Sequence, residues 1–128
     1  MKRYLLDTHV FLWWLTDDPS LGEKARAVIS DETNPVYVSA ATVWEISIKK
    51  KLGKLKAPEN MEKIVEEEQF IKLPILLSHA EKAGQLPYYH HDPFDRMLIA
   101  QALTEGLTIV TADKGFSRYK VKILSARK

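Results

Sequence analysis

Four acidic residues in this chain stand where a carboxylate could act on a substrate: Asp7, Glu45, Asp95 and Asp113. Asp7 closes the apolar run Tyr4-Leu5-Leu6, and Asp113 follows Leu107-Thr108-Ile109-Val110 by way of Thr111-Ala112. Both read as aspartates just past the carboxyl end of a strand, the edge at which open α/β sheets bind ligands. In Asp92-Pro93-Phe94-Asp95, Asp92 reads as a helix N-cap and Pro93 as the first helical residue, since proline has a fixed φ and no N–H to lose there. Asp95 then falls in the first turn, near unpaired N–H groups and the positive end of the helix dipole. Glu45 sits among Val43, Trp44, Ile46 and Ile48, and a glutamate on so apolar a helix is seldom buried without a partner. If the two strands are central, the four carboxylates share one edge.

Each of the four also has a plainer explanation. Aspartate at a strand end is common turn chemistry, and Asp95 could simply complement a helix dipole. One acidic cluster, however, accounts for several placements together. Carboxylates crowded into a poorly solvated pocket raise one another's pKa and are costly unless a cation intervenes. All-oxygen donors select hard ions, Mg²⁺ or Mn²⁺. Such an ion takes a phosphate oxygen as ligand and activates water, so the expected reaction is phosphodiester hydrolysis.

The elements that must position these residues follow from the hydrophobic pattern. Tyr4–Leu6, Val36–Val38, Phe70–Ile75, Leu107–Val110 and Val121–Leu124 read as strands, with Pro74 making the third edge-like or irregular. Between them lie helical stretches: Val10 to Leu15, a second opened by Ser20-Leu21-Gly22-Glu23, and a third capped by Ser39 and ending at Lys49-Lys50-Lys51-Leu52-Gly53. Others open at Ala57-Pro58-Glu59, at Ser78-His79-Ala80-Glu81, and at Asp92, the last running to about Glu105 with Gly106 as stop. Strands alternating with helices predict a three-layer α/β/α sandwich around a mostly parallel central sheet.

Composition narrows the class. The chain has 128 residues, is 45% hydrophobic and 28% charged, and carries a formal net charge of +2. That suits a single domain over residues 1–128 with a real core. With no cysteine there is neither a disulfide nor a thiolate metal site, which agrees with a reducing compartment and a cytoplasmic protein. Asp7 comes too early for the apolar region of a signal peptide, and no apolar run approaches a membrane span.

The residues resemble the PIN-domain ribonucleases, in particular the VapC-type toxins of bacterial toxin–antitoxin pairs. Leu5-Leu6-Asp7-Thr8-His9 is similar to the family's opening, and Val38-Ser39-Ala40-Ala41-Thr42-Val43-Trp44-Glu45-Ile46 to its second motif. Leu73-Pro74-Ile75, His79-Ala80 and Leu86-Pro87 through His91-Asp92-Pro93-Phe94-Asp95-Arg96-Met97-Leu98-Ile99-Ala100-Gln101-Ala102 resemble one subgroup, and Ile109-Val110-Thr111-Ala112-Asp113 the closing acidic motif. The resemblance implies that Asp7, Glu45, Asp95 and Asp113 are the metal-binding, catalytic set, and that Thr111 helps hold the metal's waters. It implies an RNA substrate, a cognate antitoxin partner and a homodimer. The alternative is a nuclease of the same fold in RNA maturation or DNA processing.

The remaining polar residues divide less sharply. Thr8 reads as a cap, with the metal as its other option. Arg96 reads as the partner of a neighbouring carboxylate, with an RNA phosphate or an acidic antitoxin tail as alternatives. His90 and His91 read as solvated loop residues, His9 and His79 as structural. Lys49, Lys50 and Lys51, continued by Lys54 and Lys56, could track a phosphate backbone or simply form a solvated helix end. Trp13, Trp14 and Trp44 read as core or dimer-interface packing rather than base-stacking platforms.

Overall fold

Tyr4, Leu5 and Leu6 are all buried, as are Thr108, Ile109, Val110 and Thr111. Side chains alternate across a strand, so burial of consecutive residues means that both faces of the sheet are covered. The computed structural model, which describes residues 2–127, bears this out. The elements in chain order are β1 (Tyr4–Leu6), α1 (Thr8–Thr16), α2 (Glu23–Ser30), β2 (Val36–Ser39), α3 (Ala40–Lys51) and α4 (Met61–Glu67). They continue with β3 (Ile71–Leu73), α5 (Leu77–Gln85), α6 (Pro93–Glu105), β4 (Thr108–Thr111), a 3₁₀ helix (Lys114–Tyr119) and β5 (Ile123–Ser125). All strand pairs are parallel, in the order β3-β2-β1-β4-β5.

Tyr4, Leu6, Val36, Val38 and Val110 point to one face, where Val10 and Phe11 of α1, Ala25 and Ile29 of α2, Ile46 of α3 and Val65 of α4 cover them. Leu5 and Ile109 point to the other, under Leu98, Ile99 and Ala102 of α6 and Phe116 and Tyr119 of the 3₁₀ helix. This is the expected three-layer sandwich. The chain winds outward from β1 to β2 and β3, then returns to the far side of β1 for β4 and β5. The winding direction therefore switches between β1 and β4, the place where such sheets leave a crevice at their carboxyl ends.

Local chemistry corrects some predicted boundaries. Ser20 does not cap α2: Asp18 Oδ1 accepts its backbone N–H at 2.8 Å in a turn, and the helix starts after Gly22 with no side-chain cap. Arg26 holds that turn, donating to Asp17 Oδ1 at 2.6 Å and to the Leu21 carbonyl at 3.2 Å. Ser78 already lies inside α5, whose start is closed by His79 Nδ1 accepting Leu76 N–H at 3.0 Å. The stretch at Ala57-Pro58-Glu59 is not helical; α4 begins after Asn60. β3 ends before Pro74 at one edge of the sheet. Among the described residues no helix is long and apolar enough to cross a membrane.

Candidate active site

Asp7 leaves β1 at the switch and caps α1, accepting the His9 N–H at 3.3 Å. Its backbone N–H is held by the Val110 carbonyl of β4 at 3.1 Å, which ties the two strand ends together. The other oxygen, Oδ2, accepts the Thr111 hydroxyl at 2.6 Å, while Thr111 Oγ1 accepts the Asp113 N–H at 3.0 Å. The hydroxyl thus has a fixed direction, from the Asp113 backbone toward the Asp7 carboxylate. Thr8 is not the cap; its hydroxyl donates to Glu45 Oε1 at 2.7 Å, reaching across from α1 to α3. Glu45 Oε2 pairs with Lys49 Nζ at 2.6 Å, one turn further along α3.

Asp92 caps α6 as the sequence suggests, its Oδ1 accepting Phe94 N–H at 2.8 Å and Asp95 N–H at 3.1 Å. With Pro93 fixed at the first position, this delivers the Asp95 side chain to the same crevice. Asp113 opens the 3₁₀ helix, Oδ1 accepting Gly115 N–H at 2.8 Å. Asp7, Glu45, Asp95 and Asp113 together line one cavity of about 420 Å³, with Thr8, Lys49 and Asp92 also in its wall. Burial, reinforced by the charges of Asp92, Asp7 and Glu45 against the opposing pull of His90, pushes the Asp95 carboxyl up to about 7. Burial also raises Asp7, opposed mainly by its hydrogen bond from Thr111. The bond to Glu45 raises the Lys49 ammonium, so Lys49 is a charged member of the acidic wall.

Several readings change here. Arg96 pairs with no carboxylate among the described residues. Its buried guanidinium donates to the carbonyls of Ala83, Leu86, Pro87 and His90, at 2.8–3.3 Å, tying the loop before α6 to the helix. Lys50 reaches the Pro58 carbonyl and Glu59, and with exposed Lys51 lines a separate cavity. Trp44 is not core: it is 59% exposed and packs edge-to-face on Phe94 at 5.1 Å. His90, read as solvated, is only 16% exposed at its side chain and sets Nε2 3.0 Å from Asp113 Oδ2. Donor atoms of His90, Asp95 and Asp113 lie within 4.8 Å of one another. Trp13, His9 and Arg127 also line the cavity. The available signal for His90 was its place in the loop feeding an N-cap, which keeps it at the same sheet edge; spacing to other histidines carried none.

Comparison with known proteins agrees with this fold. Residues 4–122 match the family profile of the PIN domain. The chain is 47% identical over 36 residues to ribonuclease VapC16 of Mycobacterium tuberculosis, a segment spanning 28% of this chain and only 26% of that protein. Its fold is similar to DNA-bound VapBC from Salmonella typhimurium, with a TM-score of 0.72, 24% identity and coverage of 97% of this chain and 98% of the other. It is also similar to a toxin–antitoxin complex from Klebsiella pneumoniae, with a TM-score of 0.66, 18% identity and 98% of each chain covered.

Proposed function

Because this chain belongs to the PIN domain family, we propose that it is a divalent-metal-dependent endoribonuclease and acts as the toxin of a toxin–antitoxin pair. The observation that carries the reading is the meeting of four carboxylates, from β1, α3, α6 and the end of β4, around one cavity at the switch in winding direction. The donor set fits a hard ion: four carboxylates line one cavity, Asp7 and Asp95 have raised pKa values, and the chain has no thiolate to offer a softer metal.

Asp7, Glu45, Asp95 and Asp113 would hold Mg²⁺ or Mn²⁺, directly or through water. When bound, the ion supplies Lewis-acid polarisation of a phosphate oxygen and lowers the pKa of water for in-line attack. The chain's own groups do the positioning. Thr111 and Thr8 aim hydroxyls at Asp7 and Glu45, and the Asp92 cap fixes the turn that carries Asp95. Lys49 neutralises one carboxylate of the wall. Exposed Lys51, at the end of α3, is open to an RNA backbone, whereas Lys49 and Lys50 are engaged with acidic partners. The toxin assignment is supported by the VapC ribonuclease segment and by the toxin–antitoxin assemblies of similar fold. A cognate antitoxin, a homodimer and a cytoplasmic setting complete the reading.

The test is cleavage of single-stranded RNA with Mg²⁺ or Mn²⁺, with and without EDTA, by the wild type and by Asp7→Ala. Activity is expected only for the metal-loaded wild type; metal-independent cleavage, or full activity of Asp7→Ala, overturns the mechanism. Induced expression in a bacterial host should arrest growth. Cleavage in vitro without arrest would move the reading to a nuclease of RNA maturation.

A further inference from the structure

Asp113 is the most exposed of the four carboxylates, its side chain 46% accessible, yet both of its oxygens are held. Oδ1 accepts Gly115 N–H at 2.8 Å, and Oδ2 lies 3.0 Å from His90 Nε2. Gly115 has no side chain for a reason: a Cβ there would stand 3.0 Å from Asp113 Oδ1 and 3.2 Å from His90 Cε1. The imidazole is itself clamped, edge-to-face on buried Phe116 at 5.1 Å. Its Nδ1 lies 3.2 Å from Tyr119 Oη, which accepts the His90 backbone N–H at 2.6 Å. A carboxylate only accepts, so the ring nitrogen facing Asp113 Oδ2 donates, and in the neutral ring Nδ1 is left to accept the tyrosine hydrogen. The ring proton then resides on Nε2, facing Asp113.

We propose that His90 is a positioning residue for the nuclease reaction, fixed by Tyr119 as the Nε2–H tautomer and holding Asp113 in the orientation in which it faces Asp95. This rests on the metal-dependent reading of the cavity. The ring does not itself serve as a ligand. Freeing the Nε2 lone pair for a metal would put the proton on Nδ1, remove the donor that faces Asp113 Oδ2 and take its ring acceptor from the tyrosine hydrogen. Second partners of this kind, which orient a ligating carboxylate, typically govern metal affinity or activity by about 10–100-fold.

The experiment uses ¹⁵N-histidine-labelled protein and calorimetric Mn²⁺ titration. In the wild type, imidazole ¹⁵N spectra should show His90 as the Nε2–H form both without metal and at saturating Mg²⁺. Tyr119→Phe keeps the ring but should mix the tautomers and weaken Mn²⁺ binding several-fold. His90→Ala should weaken binding about tenfold or more and lower kcat with little change in KM. His90→Gln, whose amide nitrogen can reach Asp113, should restore most of both. An unprotonated Nε2, an Nε2 resonance displaced by Mg²⁺ as a ligand would be, or a His90→Ala protein with wild-type Mn²⁺ affinity overturns the proposal. If His90→Ala does not fold, Tyr119→Phe and His90→Gln decide the matter alone. A wild type that binds no Mn²⁺ and cleaves no RNA defeats the nuclease reading instead, and the tautomer still reports whether His90 holds Asp113.

Discussion

Asp95 shows at the level of one residue how the site is set against folding. Its carboxyl moves from 3.8 to about 7 on entering the fold, chiefly through burial and then through Asp92 and Asp7. The folded state therefore binds the proton more tightly than the unfolded chain across that interval. In metal-free protein the stability linked to this group is fully present below about pH 4 and declines as pH rises toward 7. Asparagine lacks the charge. Asp95→Asn in EDTA should thus match or exceed the wild-type melting temperature at pH 7.5 and show a flatter profile between pH 4 and 7. A loss of several degrees would mean that the helix start depends on the negative charge. That Asp95 would face a shared cavity was legible only jointly with the other carboxylates, since the Asp92 cap accounts for the first N–H groups and a helix dipole alone would explain Asp95. His90 and Arg96 were illegible for a shared reason: their partners, Asp113 and the Ala83–His90 carbonyls, are brought near by a loop path that no local pattern encodes.

At the level of elements, α6 was legible end to end and α2 was not. Asp92, Pro93 and Gly106 each satisfy a backbone demand that no competitor nearby offers to satisfy, and Gly106 takes the left-handed φ of 71° that ends the helix. The Ser20 to Glu23 pattern offers the same local chemistry, but Asp18 takes the serine N–H first and Arg26 locks the turn, so the helix starts later. Ser78 is no cap for another reason: α5 already starts at Leu77, where His79 Nδ1 accepts the Leu76 N–H. A paired test follows. Asp92→Ala should cost about 1 kcal/mol of stability in urea unfolding and, because the cap also fixes the turn bearing Asp95, should reduce RNA cleavage more than that loss of folded protein accounts for. Ser20→Ala should stay within about 0.5 kcal/mol of the wild type. Equal penalties from the two would show that the caps are not distinguished as the hydrogen bonds indicate.

For the whole molecule, parallel pairing followed from the alternation of strands and helices, whereas the order β3-β2-β1-β4-β5 did not, because strand order is settled by crossover packing that short strands leave unmarked. That order is what brings residues as far apart as Asp7 and Asp113 to one cavity. The arrangement concentrates negative charge where burial penalises it, so a bound cation should return to the fold what the carboxylates withhold. A ligand bound only by the folded state stabilises by about 2.7 kcal/mol at a hundred times its Kd, which for a chain of this size is a rise of several degrees or more in Tm. Below pH 7 the ion must displace a proton from Asp95, so the rise should be larger at pH 8 than at pH 6. Melting curves at both values, with Mg²⁺ against EDTA, give the comparison, and Asp7→Ala should abolish most of the gain. A rise that is independent of pH and survives Asp7→Ala would place the ion elsewhere on the surface and remove the main physical ground for grouping the four carboxylates into one centre.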